Sequence, residues 1–120
     1  MKKKRILICD DEEGIRESLK LILESDYDLV FVKDANECLE KLKKEKEISL
    51  LLLDIKMPKI SGLDVLKDVK SLKPGLKVMI ISGYKSVETA SEAAKLGAVD
   101  YILKPFESEE ILEKVKKYLE

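Results

Sequence analysis

The sequence predicts an α/β protein whose parallel sheet carries helices on both faces. Two observations support this. Short apolar runs alternate with segments of helical periodicity along all 120 residues, the pattern of repeated βαβ units. One run, Leu50 to Leu53, is continuously apolar, as a strand covered on both faces must be.

Taken in order, "RILIC" (Arg5 to Cys9) is the first strand. Ile15, Leu19, Ile22 and Leu23 follow at helical spacing, with acidic residues in the first turn, where the helix dipole favours them. "DLVFV" (Asp28 to Val32) is the second strand. "DANE" (Asp34 to Glu37) has the form of a capping box, opening a helix through Cys38, Leu39 and Leu42. "SLLLL" (Ser49 to Leu53) is the third strand, and Ser61 is the expected cap of a helix carrying Leu63, Leu66 and Val69. "KPG" (Lys73 to Gly75) marks a turn before the fourth strand, "KVMII" (Lys77 to Ile81). Ser86 opens an alanine-rich helix that Gly97 can end, with Ala90, Ala93 and Ala94 expected to face inward. "VDYIL" (Val99 to Leu103) is the fifth strand, and Ser108 is the expected cap of a last helix with Ile111, Leu112, Val115, Tyr118 and Leu119. The expectation is one domain over residues 1–120, without linker or repeat.

Composition narrows the chemistry. Lys plus Arg (23) nearly balances Asp plus Glu (24), so no global field draws the chain to nucleic acid or anionic membrane. "MKKKR" resembles the start of a signal peptide, but "ILIC" is too short for its apolar core, and no run approaches membrane-spanning length. A cytoplasmic location is the expectation. The absence of histidine excludes a histidine base, a histidine metal ligand and a phosphohistidine carrier. Cys9 and Cys38 form neither CxxC nor zinc spacing and are expected to be buried, reduced thiols.

In open sheets of this kind the working site lies beyond the carboxyl ends of the strands. Asp54 ends the leucine run there, either as a turn residue or as a group held for chemistry. Burying it unpaired would cost several kcal/mol, on the order of any buried charge. The other ends carry Asp10 and Asp11, with Glu12 and Glu13 behind them, then Ser82, and Lys104 before Pro105. A carboxylate cluster repels itself unless a hard cation sits within it, and Mg²⁺ accepts few protein oxygens while keeping its waters. A lysine and a hydroxyl opposite the cluster suit the oxygens of a phosphoryl group. Asp54 then reads as the nucleophile that forms an acyl phosphate.

With "ILICDDE", "LLLLDIKMPKISG", "VMIISG" and "LGAVDYILKPF", the chain resembles, from end to end, the receiver domain of two-component response regulators. The resemblance implies a flavodoxin-like (βα)5 fold with strand order 2-1-3-4-5. It makes Asp54 the phosphoacceptor, Asp10 and Asp11 the acidic pair, and Lys56 a metal ligand through its main-chain carbonyl, for Mg²⁺ or Mn²⁺. Ser82 becomes the switch hydroxyl, Tyr101 the switch aromatic and Lys104 the phosphoryl-binding lysine, aimed by a cis bond to Pro105. Lys56 and Tyr84, each two residues beyond a site residue, are expected to gate the lifetime of the phosphoryl group.

The implied partners are a sensor histidine kinase or a histidine phosphotransfer protein, and a downstream effector. The protein is expected to be a monomer or a phosphorylation-dependent dimer, catalysing only its own phosphorylation and dephosphorylation. It is read as a stand-alone phosphorelay receiver; the alternatives are the receiver of a larger nitrogen-regulator-type DNA-binding regulator and an unphosphorylated pseudo-receiver. A haloacid-dehalogenase phosphatase would need a second Asp where Lys56 stands. A flavin or dinucleotide module would need a phosphate-cradling loop where "DDEEG" repels phosphate.

Overall fold

A computed structural model describes residues 2–57 and 60–120; Pro58 and Lys59 of the "DIKMPKISG" motif lie outside the described residues. The elements alternate as expected: β1 (Arg5–Cys9), α1 (Glu13–Leu23), β2 (Asp28–Val32), α2 (Ala35–Lys44), β3 (Ile48–Leu53), α3 (Gly62–Leu72), β4 (Lys77–Ser82), α4 (Val87–Lys95), β5 (Asp100–Leu103) and α5 (Ser108–Leu119). The five strands form one sheet in the order β2-β1-β3-β4-β5. Every pairing is parallel, with Leu7 opposite both Val30 and Leu51. This is the flavodoxin-like order.

Side-chain alternation along the buried strands splits the core in two. Leu7, Cys9, Leu51, Leu53, Val78 and Ile80 face one way, against Cys38 and Leu42 of α2, Leu66 and Val69 of α3, and Ala93 of α4. Ile6, Ile8, Leu50, Leu52, Met79 and Ile81 face the other, against Leu19 and Leu23 of α1 and Ile111 and Val115 of α5. Both cysteines are free and buried. Among the described residues no helix is long and apolar enough to cross a membrane.

The helix starts show how local chemistry sets the elements. Asp34 accepts from the Glu37 amide at 2.9 Å, while the Glu37 carboxylate accepts from Lys33 N at 2.7 Å. The capping box therefore closes one residue earlier on its return side than the standard pattern. Ser61 and Ser86 cap α3 and α4 as expected. Gly97 adopts φ 102°, which lets its own amide reach the Ala94 carbonyl and the Ala98 amide the Ala93 carbonyl, closing α4.

Three expectations are corrected. Ser108 is the first helical residue of α5, not its cap: Glu107 holds the cap position without a side-chain bond, and Glu109 and Glu110 complement the helix dipole instead. Ala94 is exposed, because it lies a further 100° around the helix from Ala93, the one buried residue of α4. β5 starts at Asp100; Val99 donates to Val78 O at 2.8 Å but is otherwise a lead-in to the strand.

Candidate functional site

Short extensions of the ladder fix the backbone where the strands end. Asp54 N donates to Cys9 O at 3.0 Å, Asp10 N to Val32 O at 3.2 Å and Lys104 N to Ser82 O at 2.9 Å. These bonds tie the end of β1 to those of β2 and β3, and the end of β5 to that of β4, and the sheet order brings all five ends to one edge, gathering side chains far apart in sequence. Asp10 (2% exposed), Asp54 (2%) and Ser82 (0%) are the buried polar residues among those described.

Each buried carboxylate is anchored by a local amide: Asp10 Oδ1 accepts from Glu12 N and Asp54 Oδ1 from Lys56 N, both at 2.9 Å. The second oxygens face Lys104, whose Nζ lies 3.0 Å from Asp10 Oδ2 and 3.4 Å from Asp54 Oδ2. The Lys104–Pro105 peptide is cis. Burial pushes both carboxyl groups upward despite the lysine, and for Asp54 the neighbouring Asp10 charge adds to the effect. Burial would lower the Lys104 ammonium, but hydrogen bonds and charge from Glu12, Asp10 and Asp54 outweigh it and raise its pKa.

Asp11 is exposed at the rim. Asp10, Asp11, Glu12 and Asp54 each offer a carboxylate oxygen, all within 4.8 Å of one another. Three of these carboxylates, Asp10, Glu12 and Asp54, contact the Lys104 ammonium, and four carboxylates against that one ammonium leave an excess of negative charge. The set fits a divalent cation of the Mg²⁺ or Mn²⁺ type, for which hard oxygens are the preferred ligands. Lys56, expected as a ligand through its main-chain carbonyl, follows Asp54 by two residues, has its amide on Asp54 Oδ1 and leaves its side chain exposed.

On the β4 side, Ser82 Oγ accepts from Tyr84 N at 3.2 Å. Tyr101 is half-buried on the face shared with α4, and its hydroxyl donates to the Tyr84 carbonyl. The Lys56 ammonium stands 5.1 Å from the Tyr84 ring centroid, so the loops after β3 and β4 meet through their side chains. Two contributors have no role assigned by the sequence reading. Glu12 places Oε1 2.7 Å from Lys104 Nζ. Arg16 donates to the Asp10 carbonyl at 2.8 Å and braces the loop before α1. Glu12 had a signal in the "DDEE" run; Arg16 had none, since its target is a main-chain atom.

Comparison with known proteins agrees with this fold. The family model described as response regulator receiver domain matches residues 6–116. Sporulation initiation phosphotransferase F of Bacillus subtilis (strain 168) is 34% identical over 120 residues, covering 99% of this chain and 96% of that protein. Transcriptional regulatory protein ZraR of Escherichia coli (strain K12) is 34% identical over 115 residues; the match covers 95% of this chain but only 26% of ZraR, so the chain spans about a quarter of that relative. Among solved structures, a CheY-like response regulator receiver domain protein from Methanospirillum hungatei JF-1 superposes with a TM-score of 0.91 at 39% identity, covering 96% of this chain and 92% of that one.

Proposed function

The chain belongs to the response regulator receiver domain family of two-component signalling, and from that premise we propose that it accepts a phosphoryl group on Asp54 from a histidine kinase or phosphotransfer protein. The observation that carries this is the buried Asp54 carboxylate, with one oxygen anchored to Lys56 N and the other 3.4 Å from Lys104 Nζ. The anchored oxygen fixes the rotamer, and the second is left to attack. As the new oxygen–phosphorus bond forms, the donor's nitrogen–phosphorus bond breaks and the imidazole leaves with that electron pair. Lys104 neutralises charge gathering on the phosphoryl oxygens, reaching them from a backbone already pinned to β4. A divalent cation held by Asp10, Asp11 and Asp54, with the Lys56 carbonyl, would add charge neutralisation to that of the lysine.

Phosphorylated Asp54 offers new acceptor oxygens to the Ser82 hydroxyl. Any movement of Ser82 reaches Tyr84 through its amide, and Tyr101 through the Tyr84 carbonyl. The surface of α4, β5 and α5 is therefore the proposed output, since α4 buries a single small side chain and is the helix least held to the sheet. The chemistry is limited to the protein's own phosphorylation and dephosphorylation.

Two outputs are compatible with this role. Near-complete coverage of sporulation initiation phosphotransferase F supports a phosphorelay receiver, whereas the partial match to ZraR supports the receiver portion of a transcriptional regulator. Passing phosphate onward to a histidine phosphotransfer protein is expected of the first only. The primary test is exposure to acetyl phosphate with Mg²⁺ followed by intact mass measurement. Wild type should gain one phosphoryl group and Asp54→Asn none; equal labelling of the variant would reject Asp54 as acceptor.

A further inference from the structure

Lys104 lies closest not to the proposed acceptor but to Glu12. Its Nζ is 2.7 Å from Glu12 Oε1, 3.0 Å from Asp10 Oδ2 and 3.4 Å from Asp54 Oδ2. The three partners differ sharply in character. The Asp10 and Asp54 side chains are 3% and 2% exposed, whereas that of Glu12 is 60% exposed. Glu12 also occupies the N-cap position of α1 without making a side-chain cap bond. Glutamate is not among the side chains that normally satisfy the first amides of a helix from this position, so its carboxylate is free for another partner. Here it reaches across the edge of the sheet to the lysine instead. Its own amide is tied to Asp10 Oδ1 at 2.9 Å, so its backbone is fixed while its side chain is committed to Lys104.

We infer that Glu12 is a positioning residue for the phosphoryl-binding lysine: it holds the Lys104 ammonium on the Asp10 side of the site until a phosphoryl group arrives, and then gives it up. The inference rests on the phosphoryl-acceptor reading of Asp54. Because Lys104 N is bound to Ser82 O at 2.9 Å, the lysine backbone cannot follow the phosphoryl group. Only the four-carbon stem can swing, and the swing exchanges one carboxylate partner for phosphoryl oxygens. The more highly charged phosphoryl group wins that exchange. Part of its attraction for Lys104 is nonetheless spent on breaking the Glu12 contact, so Glu12 sets a threshold for engaging the phosphoryl group. An exposed carboxylate suits this role, since an ion pair near solvent separates at small cost.

The test compares wild type, Glu12→Gln and Glu12→Asp. Gln keeps the size and removes the charge; Asp keeps the charge and shortens the reach by one methylene. In the metal-free, unphosphorylated protein, the Lys104 ammonium is observed by nitrogen-edited NMR and assigned by its absence in Lys104→Ala. Its resonance is expected to shift and exchange faster with water in both Glu12 variants. Beryllofluoride, a phosphoryl stand-in, is then titrated at Mg²⁺ shown to be saturating for each variant, and Glu12→Gln is expected to bind about two- to fivefold more tightly, the range that release of an exposed ion pair provides. An unchanged Lys104 resonance in either variant overturns the inference, as does unchanged or weaker beryllofluoride binding by Glu12→Gln. The ammonium measurement needs no phosphorylation, so failure of wild type to label at Asp54 would count against the acceptor reading while leaving the Glu12–Lys104 contact separately judged.

Discussion

Lys56 and Tyr84 face each other across the mouth of the strand-end site, the ammonium 5.1 Å from the ring centroid. Each stands two residues beyond a group proposed to handle the phosphoryl oxygens, Asp54 and Ser82 respectively. The expected gating is that this contact closes part of the approach water would take toward a phosphorylated Asp54. An exposed cation–π pair is worth about 0.5–1 kcal/mol, so removing either partner should speed loss of phosphate about two- to fivefold. The measurement is decay after donor removal, at constant Mg²⁺, in wild type, Lys56→Ala and Tyr84→Ala. Decay in both variants at the wild-type rate would show that the pair does not shield the site.

The carboxylate cluster should bind Mn²⁺ in the unphosphorylated protein, weakly, because few protein ligands are available to it. Asp11 is the exposed member and makes no structural contact that its loss would break among the described hydrogen bonds. Asp11→Ala is therefore expected to weaken Mn²⁺ binding several-fold with the fold intact, as followed by paramagnetic broadening and circular dichroism. Equal affinity in the variant would remove Asp11 from the ligand set.

Gly62 is a position where a side chain has no room. A Cβ there would lie 2.1 Å from Ile55 Cα and 2.8 Å from the Asp54 carbonyl oxygen. The Gly62 amide also donates to Ile55 O at 2.9 Å, so the start of α3 rests directly on the backbone that carries Asp54. Gly62→Ala should cost about 1–3 kcal/mol through overpacking. It should also slow phosphorylation, because relief of the clash must move the Asp54 backbone. Denaturant unfolding and acetyl phosphate kinetics check both; a variant of wild-type stability would show that this approach yields easily.

Asp100 gives the protein a specific acid sensitivity. Burial alone would raise its carboxyl pKa, but Lys114 Nζ at 2.9 Å, Tyr101 N at 2.8 Å and the Tyr118 hydroxyl at 2.9 Å together hold it below the usual carboxylate range. A carboxyl whose folded pKa lies below its unfolded value, about 3.9, stabilises the fold above that value. The contribution is lost as pH falls through the folded pKa. Asp100→Asn should lower stability at pH 7 by about 1.5–3 kcal/mol, the scale of hydrogen bonds to a charged group. Its difference from wild type should shrink below pH 4 (about the unfolded pKa). A difference constant with pH would mean that the Asp100 charge is not what links β5 to α5.

The legible parts of this molecule were those governed by local period and end chemistry. The leucine run of β3, the caps at Asp34, Ser61 and Ser86, and the Gly97 stop each act within a few residues, so the chain states them directly. Asp10, Asp54, Ser82 and Lys104 were legible as a group because each directly ends or follows a strand, and the fold gathers strand ends at one edge. Ala94 was misread because alanine carries too little hydrophobic contrast to mark which face of a helix is buried. Ser108 was misread because a good capping residue can equally occupy the first helical turn. Glu12 was passed over since its partner lies 92 residues away, and nothing in a run of four acidic residues tells which one will reach it.

The single buried side chain of α4 has a consequence for how such a protein diversifies. Of nine residues in that helix, Ala93 alone is committed to the core. Substitutions on a surface of this kind typically alter stability by no more than about 0.5 kcal/mol. The proposed output face can therefore accumulate changes that redirect it toward new partners while the strand-end chemistry, rooted in the fully buried strands, stays as it is. Partner choice and phosphoryl chemistry are thereby open to separate inheritance, and duplicated copies of the gene could part company in their wiring long before they differed in their reaction.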